Sequence, residues 1–104
     1  MRKVTEQIAK AFKKGINKTV GNTATIDGAV FLHGNKIAKI EEGALLMSLA
    51  GWNTPTTRER LNGIADVFGS REKFRKIDFE PRLCGEFGNR LIRDDCWYWI
   101  ADVK

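Results

Sequence analysis

Histidine and cysteine are almost missing from this chain. One histidine, His33, and two distant cysteines, Cys84 and Cys96, are too few for a zinc module. With no apolar signal core behind Met1-Arg2-Lys3, the thiols are expected reduced and half-buried rather than paired. No apolar run is long enough to cross a bilayer. Only two prolines occur, against ten glycines, which points to tight turns rather than a disordered linker. No glycine-rich phosphate loop is followed by Lys and Ser or Thr. Neither serine, Ser48 or Ser70, stands in a nucleophile elbow. Glu41-Glu42 and Asp94-Asp95 sit beside turn-like sequence, where solvated charge is the default. The expectation is therefore a protein without catalysis, metal or cofactor.

What is present is positive charge, unevenly placed. The net charge is +5, and residues 1–20 alone carry +5. Residues 21–57 sum to −1, residues 58–76 to +3 and residues 77–104 to −2. Such asymmetry suits an anionic partner such as DNA or RNA. It equally suits solvated helix faces that keep a protein soluble.

The 104 residues suffice for one domain, 1–104. Val4, Ile8, Ala11 and Phe12 form one helical stripe over residues 3–14, and Gly15 supplies a stop. Asp27-Gly28, Gly34-Asn35 and Glu42-Gly43 read as two-residue turns. They separate strands near 22–26, 29–33, 36–41 and 44–50. These turns would pair Ile26 with Ala29, His33 with Lys36, and Glu41 with Ala44. One face would then hold Ala24, Ile26, Ala29, Phe31, Ala38, Ile40, Leu45, Met47 and Leu49 as core. Thr23, Thr25, Val30, Leu32, Ile37, Lys39, Leu46 and Ser48 would face the other way.

Thr54 and Pro55 open a second helix, with Leu61, Ile64, Ala65 and Phe68 as its buried stripe and Gly69 as its end. Further strands are expected at Phe74–Phe79 and Trp97–Ile100, with a turn at Gly88-Asn89. The fold class is α+β: an antiparallel meander with an N-terminal and a central helix packed on it.

The segment Trp52–Asn62, WNTPTTRERLN, is the candidate surface. A helix start offers free N–H groups, Thr54, Thr56 and Thr57 add hydroxyls, and Arg58 and Arg60 add permanent charge. Trp52 either stacks on a base or fills core, and core is the usual place for so large a side chain. Arg58 and Asn62, four residues apart, would face the edges of bases. Lys10 and Lys14 on the first helix would add phosphate contacts. His33, Asn35 and Lys36 form a hairpin tip with possible contacts, where a lone histidine is more often turn-stabilising than catalytic.

Gly21-Asn22-Thr23, Leu32-His33-Gly34-Asn35 with Ile37-Ala38, Gly51-Trp52, Thr54, Thr56-Thr57 and Arg60-Leu61-Asn62 resemble a pattern in small proteins of tailed bacteriophages. The resemblance covers residues 21–62. It implies a phage product acting in the cytoplasm of an infected bacterium, and it assigns no role to any residue. Two expectations follow. One is a non-catalytic nucleic-acid-binding protein using the basic first helix and the Thr/Arg helix start. The other is a module that binds and inhibits a host protein through the mixed sheet face, with Val30, Leu32, Ile37 and Leu46, or through the aromatics near 97–100.

Overall fold

The computed structural model describes residues 1–86 and 88–103. Helix α1 (Lys3–Lys14) leads into five short strands: β1 (Lys18–Val20), β2 (Thr23–Ile26), β3 (Ala29–Leu32), β4 (Asn35–Glu41) and β5 (Ala44–Met47). Helix α2 (Pro55–Val67) follows. After it come β6 (Lys73–Ile77), β7 (Glu80–Gly85), β8 (Gly88–Leu91) and β9 (Tyr98–Asp102). Strands β1–β5 form an antiparallel meander, which β9 extends beside β5, while β6–β8 form a separate three-stranded sheet. The expected α+β architecture is what the chain adopts. Strand β1 was not anticipated, and Gly88-Asn89 lies in β8 rather than in a turn.

Both helices start and stop as their sequences dictate. Gly15 ends α1 in the left-handed conformation, φ 73°. Thr54 caps α2 by accepting a hydrogen bond from the Thr57 amide at 3.2 Å, and Pro55 takes the first turn. The helices lie side by side and run the same way. Thr5 meets Glu59 near their starts, and Lys13 donates to the Val67 carbonyl near their ends. Gly63 permits that approach, because a Cβ there would collide with the Thr5 methyl carbon.

The register corrects the expected core. The turn is His33-Gly34, φ 51° and 81°, one residue earlier than Gly34-Asn35, so Leu32 pairs with Asn35. The register then shifts between Val30 and Phe31, which makes Ile37 an extra residue on β4. With side chains alternating across a strand, these offsets invert β2 and β3 relative to expectation. Thr23, Thr25, Val30 and Leu32 are buried, whereas Ile26 is exposed and Ala24 and Phe31 are half-buried; of the core residues expected on these two strands, Ala29 alone is buried as read. On β4 and β5 the expected core residues Ala38, Leu45 and Met47 are buried as read. A second register shift, between Leu45 and Leu46, leaves Ile100 as the extra residue on β9, and Ile100 is also buried.

One cluster unites these elements: Ile8 and Phe12 from α1, Leu61 and Ile64 from α2, Val30, Leu45 and Met47 from the large sheet, and Phe74 and Leu83 from the small one. Val30, Leu32 and Ile37 are therefore core and not an open patch. The exposed face of the large sheet carries Ile26, Phe31, Lys36, Leu46 and Trp99 instead.

Candidate nucleic-acid interface

Chain reversal after β5 explains the placement of Trp52. Ala50 and Gly51 both adopt positive φ, 54° and 84°, and the Trp52 amide donates to the Leu49 carbonyl at 2.9 Å. This tight turn sends Leu49 into the core and Trp52 outward, 57% exposed. The usual preference of tryptophan for the core does not hold here, because the turn and the cap at Thr54 leave Trp52 on the outside of the bend.

Trp52 is one wall of a cleft of about 390 Å³. Its floor is Leu32, Ile37, Leu49 and the buried Thr57, and its rim is His33, Asn35, Thr54 and Thr56. Two segments far apart in sequence, the β3–β4 hairpin tip and the start of α2, thus converge. The cleft has the size of a small-ligand pocket and the make-up of one, an apolar bed with a few polar groups at its edge. The Thr54 and Thr57 hydroxyls also bond each other at 2.9 Å. His33 Nε2 lies 3.3 Å from the Asn22 amide nitrogen, which ties the hairpin tip to the preceding turn.

The other residues singled out in the sequence lie elsewhere. Arg60 is only 4% exposed. Its Nε donates to Thr23 Oγ1 and its Nη1 to Thr5 Oγ1, both at 3.0 Å, and Nη1 also bonds the Glu59 carboxylate. A guanidinium so enclosed cannot reach a phosphate, so Arg60 is a fold residue and not a surface contact. Burial pushes the Glu59 carboxyl up, but hydrogen bonds from Thr5, the Arg2 amide and Arg60 outweigh it and hold Glu59 below the ordinary 4.5.

Asn62 is equally committed. Its side-chain amide donates to the Phe74 carbonyl at 3.0 Å and its oxygen accepts from the Phe74 amide at 2.7 Å. It splices β6 onto α2 and does not face a base edge. Lys10 pairs with Glu6 at 2.7 Å on the α1 surface, and Lys14 is exposed at the α1 end. Neither lines the cleft, and Lys36 does not either: its ammonium lies 5.8 Å from the Phe31 ring centroid, a pair on the exposed sheet face.

Arg58 folds back, its Nη1 donating to the Asn53 carbonyl at 3.0 Å and to Asn53 Oδ1 at 2.6 Å. It lines a second depression of about 510 Å³, together with Pro55, Glu59, Arg75 and Lys76. Pro55 lines this cationic groove, while its sequence neighbours Thr54 and Thr56 line the Trp52 cleft. Arg75 and Lys76 were not singled out from sequence, although the +3 of residues 58–76 contains their signal.

Among the described residues, no group of three or more His, Cys, Asp or Glu side chains could hold a metal ion. Cys84 and Cys96 are free and half-buried. No helix among the described residues is long and apolar enough to cross a membrane. Residues 1–93 match the family model described as Kyanoviridae Gp96 protein. No curated protein and no solved structure matches the chain. The chain belongs to that family of phage proteins.

Proposed function

From this member of a phage family, we propose a non-catalytic protein that binds single-stranded nucleic acid in the cytoplasm of the infected host, holding one unstacked base in the Trp52 cleft. The observation that carries the reading is Trp52 itself, a tryptophan 57% exposed above an apolar floor and ringed by hydroxyl and amide groups. Base–aromatic stacking is tolerant of sequence, and rim groups such as Thr56, Asn35 and His33 suit the polar edge of a base. A duplex hides the faces of its bases, so a cleft of this kind favours a single strand. The cationic groove beside Pro55 supplies Arg58, Arg75 and Lys76 for the flanking phosphates.

The test is a fluorescence-polarisation titration with single-stranded and duplex DNA and RNA at two salt concentrations. Single strands are expected to bind more tightly than duplexes, and affinity to fall with salt as counterions are released. Trp52→Ala is expected to weaken single-strand binding about tenfold, in line with roughly 1–3 kcal/mol per stacked base. Equal affinity for duplex and single strand, unchanged by Trp52→Ala, would refute the reading.

A second reading has its own observation. Trp97, Trp99 and Ile26 are exposed, and Leu46 is half-buried, on the large-sheet side away from the helices. That apolar area supports a protein partner, such as a host enzyme, in place of the patch expected at Val30, Leu32 and Ile37. Pull-down from host lysate with wild type and Trp99→Ala in parallel separates it from the first reading.

A further inference from the structure

Five residue pairs among the described residues adopt consecutive left-handed conformations. Four of them end in glycine: Asp27-Gly28, His33-Gly34, Glu42-Gly43 and Ala50-Gly51. The fifth, at the β6–β7 hairpin tip, is Asp78-Phe79, with φ 50° and 65°. The tight hairpin turn wants glycine there, since a Cβ crowds the following carbonyl. A bulky residue at this position carries strain that the turn alone does not explain. Nor does packing explain it, because Phe79 is 90% exposed. The Lys76 ammonium, 5.6 Å from the ring centroid, is the charge that accompanies it.

The sheet behind this tip holds a second anomaly. Arg75 and Arg82 are directly opposite on β6 and β7, a like-charge pair that destabilises a ladder. Neither forms an ion pair with a carboxylate among the described residues, although Glu80 stands at the hairpin end of the same face. Arg82 Nη1 reaches only Asn89 Oδ1, at 3.3 Å, and the Arg82 Nε is buried without a hydrogen-bond partner. A phosphate seated at the outer ends of the two guanidiniums would relieve the repulsion between them. The cationic groove runs from Pro55 and Arg58 to Lys76 and Ile77, which immediately precedes the tip. Trp52 lies three residues before Pro55 in the chain, and Phe79 two residues after Ile77.

We infer that the β6–β7 hairpin is a second contact for the same single strand, Phe79 stacking on a base while Arg75 and Arg82 share one of its phosphates. The inference rests on the reading of the Trp52 cleft as a single-strand site, and it deepens that reading by making the site several nucleotides long.

The test compares a dinucleotide with an oligomer of about twelve nucleotides, a length within single-strand site sizes. Oligothymidylate and oligouridylate arms distinguish DNA from RNA. Phe79→Ala is expected to weaken the long oligomer about tenfold and leave the dinucleotide unchanged. The double variant Arg75→Ala/Arg82→Ala is expected to flatten the long oligomer's log–log salt dependence by about 0.7, the slope for one phosphate on a single strand. Phe79→Gly is expected to raise the thermal midpoint while weakening the long oligomer, because glycine suits the left-handed turn. A Phe79 that served only the fold would lower the midpoint instead. Unchanged long-oligomer affinity in Phe79→Ala, with Trp52→Ala still weakening both oligomers, overturns the hairpin contact alone. Trp52→Ala changing neither oligomer while Phe79→Ala weakens the long one overturns the cleft alone. Failure of wild type to bind either oligomer overturns both.

Discussion

Trp52 and Arg60 stand eight positions apart, and they exchange the places that their chemistry would ordinarily assign. The indole is 57% exposed and the guanidinium 4% exposed. Burial of a charge is costly unless it is paired and hydrogen-bonded, and Nε and Nη1 of Arg60 find the Thr5 and Thr23 hydroxyls and the Glu59 carboxylate. Those partners come from α1, β2 and α2, so one side chain fastens three elements. Trp52 has no such role, since the turn at Ala50-Gly51 carries it out of the core. A permanent charge here belongs to the fold, and the aromatic lies in solvent. Charge alone is thus a poor guide to which side chains this fold leaves exposed.

The sharpest way to break the comparison is to remove the buried charge. Arg60→Ala is expected to cost about 3 kcal/mol, because it strands buried hydroxyls and a partly buried carboxylate. Thermal unfolding should show a midpoint lower by at least about 10 °C. A loss below about 0.5 kcal/mol would mean that Arg60 is not the fastening described.

Acid should attack the same cluster. The Glu59 carboxyl is held below its ordinary value, so it contributes stability that is present above the unfolded value of 4.5 and is lost as pH falls through the lowered folded value. Unfolding free energy measured by urea titration should decline below about pH 4.5. Glu59→Gln should flatten that decline while lowering stability at neutral pH. An unchanged slope in the variant would contradict the assigned pairing.

Thr54→Ala is a smaller change, expected to cost about 1 kcal/mol through loss of the α2 cap. Its effect on urea midpoints should exceed that of Thr56→Ala, whose hydroxyl lines the cleft without capping. Smallest of all should be the effect of Trp52→Ala on stability, within about 0.5 kcal/mol, because an exposed side chain buries little. A cost of several kcal/mol would place Trp52 in the fold and remove it from the binding surface.

Much of the fold was legible because its signals are local. The stripe Val4, Ile8, Ala11, Phe12 and the stop at Gly15 bound α1, and Thr54-Pro55 marks the start of α2. Asp27-Gly28 and Glu42-Gly43 turn where glycine permits positive φ. The core face of β2 and β3 was misread because His33-Gly34 and Gly34-Asn35 are both acceptable turns, one residue apart. The choice is made by the extra residue Ile37 and by Arg60, which draws Thr23 inward. Neither is a local signal. The candidate site was legible in part: Trp52, Thr54, Thr56, Thr57, His33 and Asn35 do converge. Asn62 was misassigned because its partner is the Phe74 backbone, which carries no side-chain signature. Arg75 and Lys76 reach the groove only because that splice lays β6 along α2.

The most direct test of the central claim reads Trp52 alone. In a Trp97→Phe/Trp99→Phe background, Trp52 is the remaining tryptophan, since the chain contains three. Its emission should be that of an exposed indole, readily quenched by acrylamide. Titration with a single-stranded oligonucleotide should then quench the emission as a base stacks on the ring, and shield it from acrylamide. Binding that leaves the Trp52 emission and its acrylamide quenching unchanged would contradict the account.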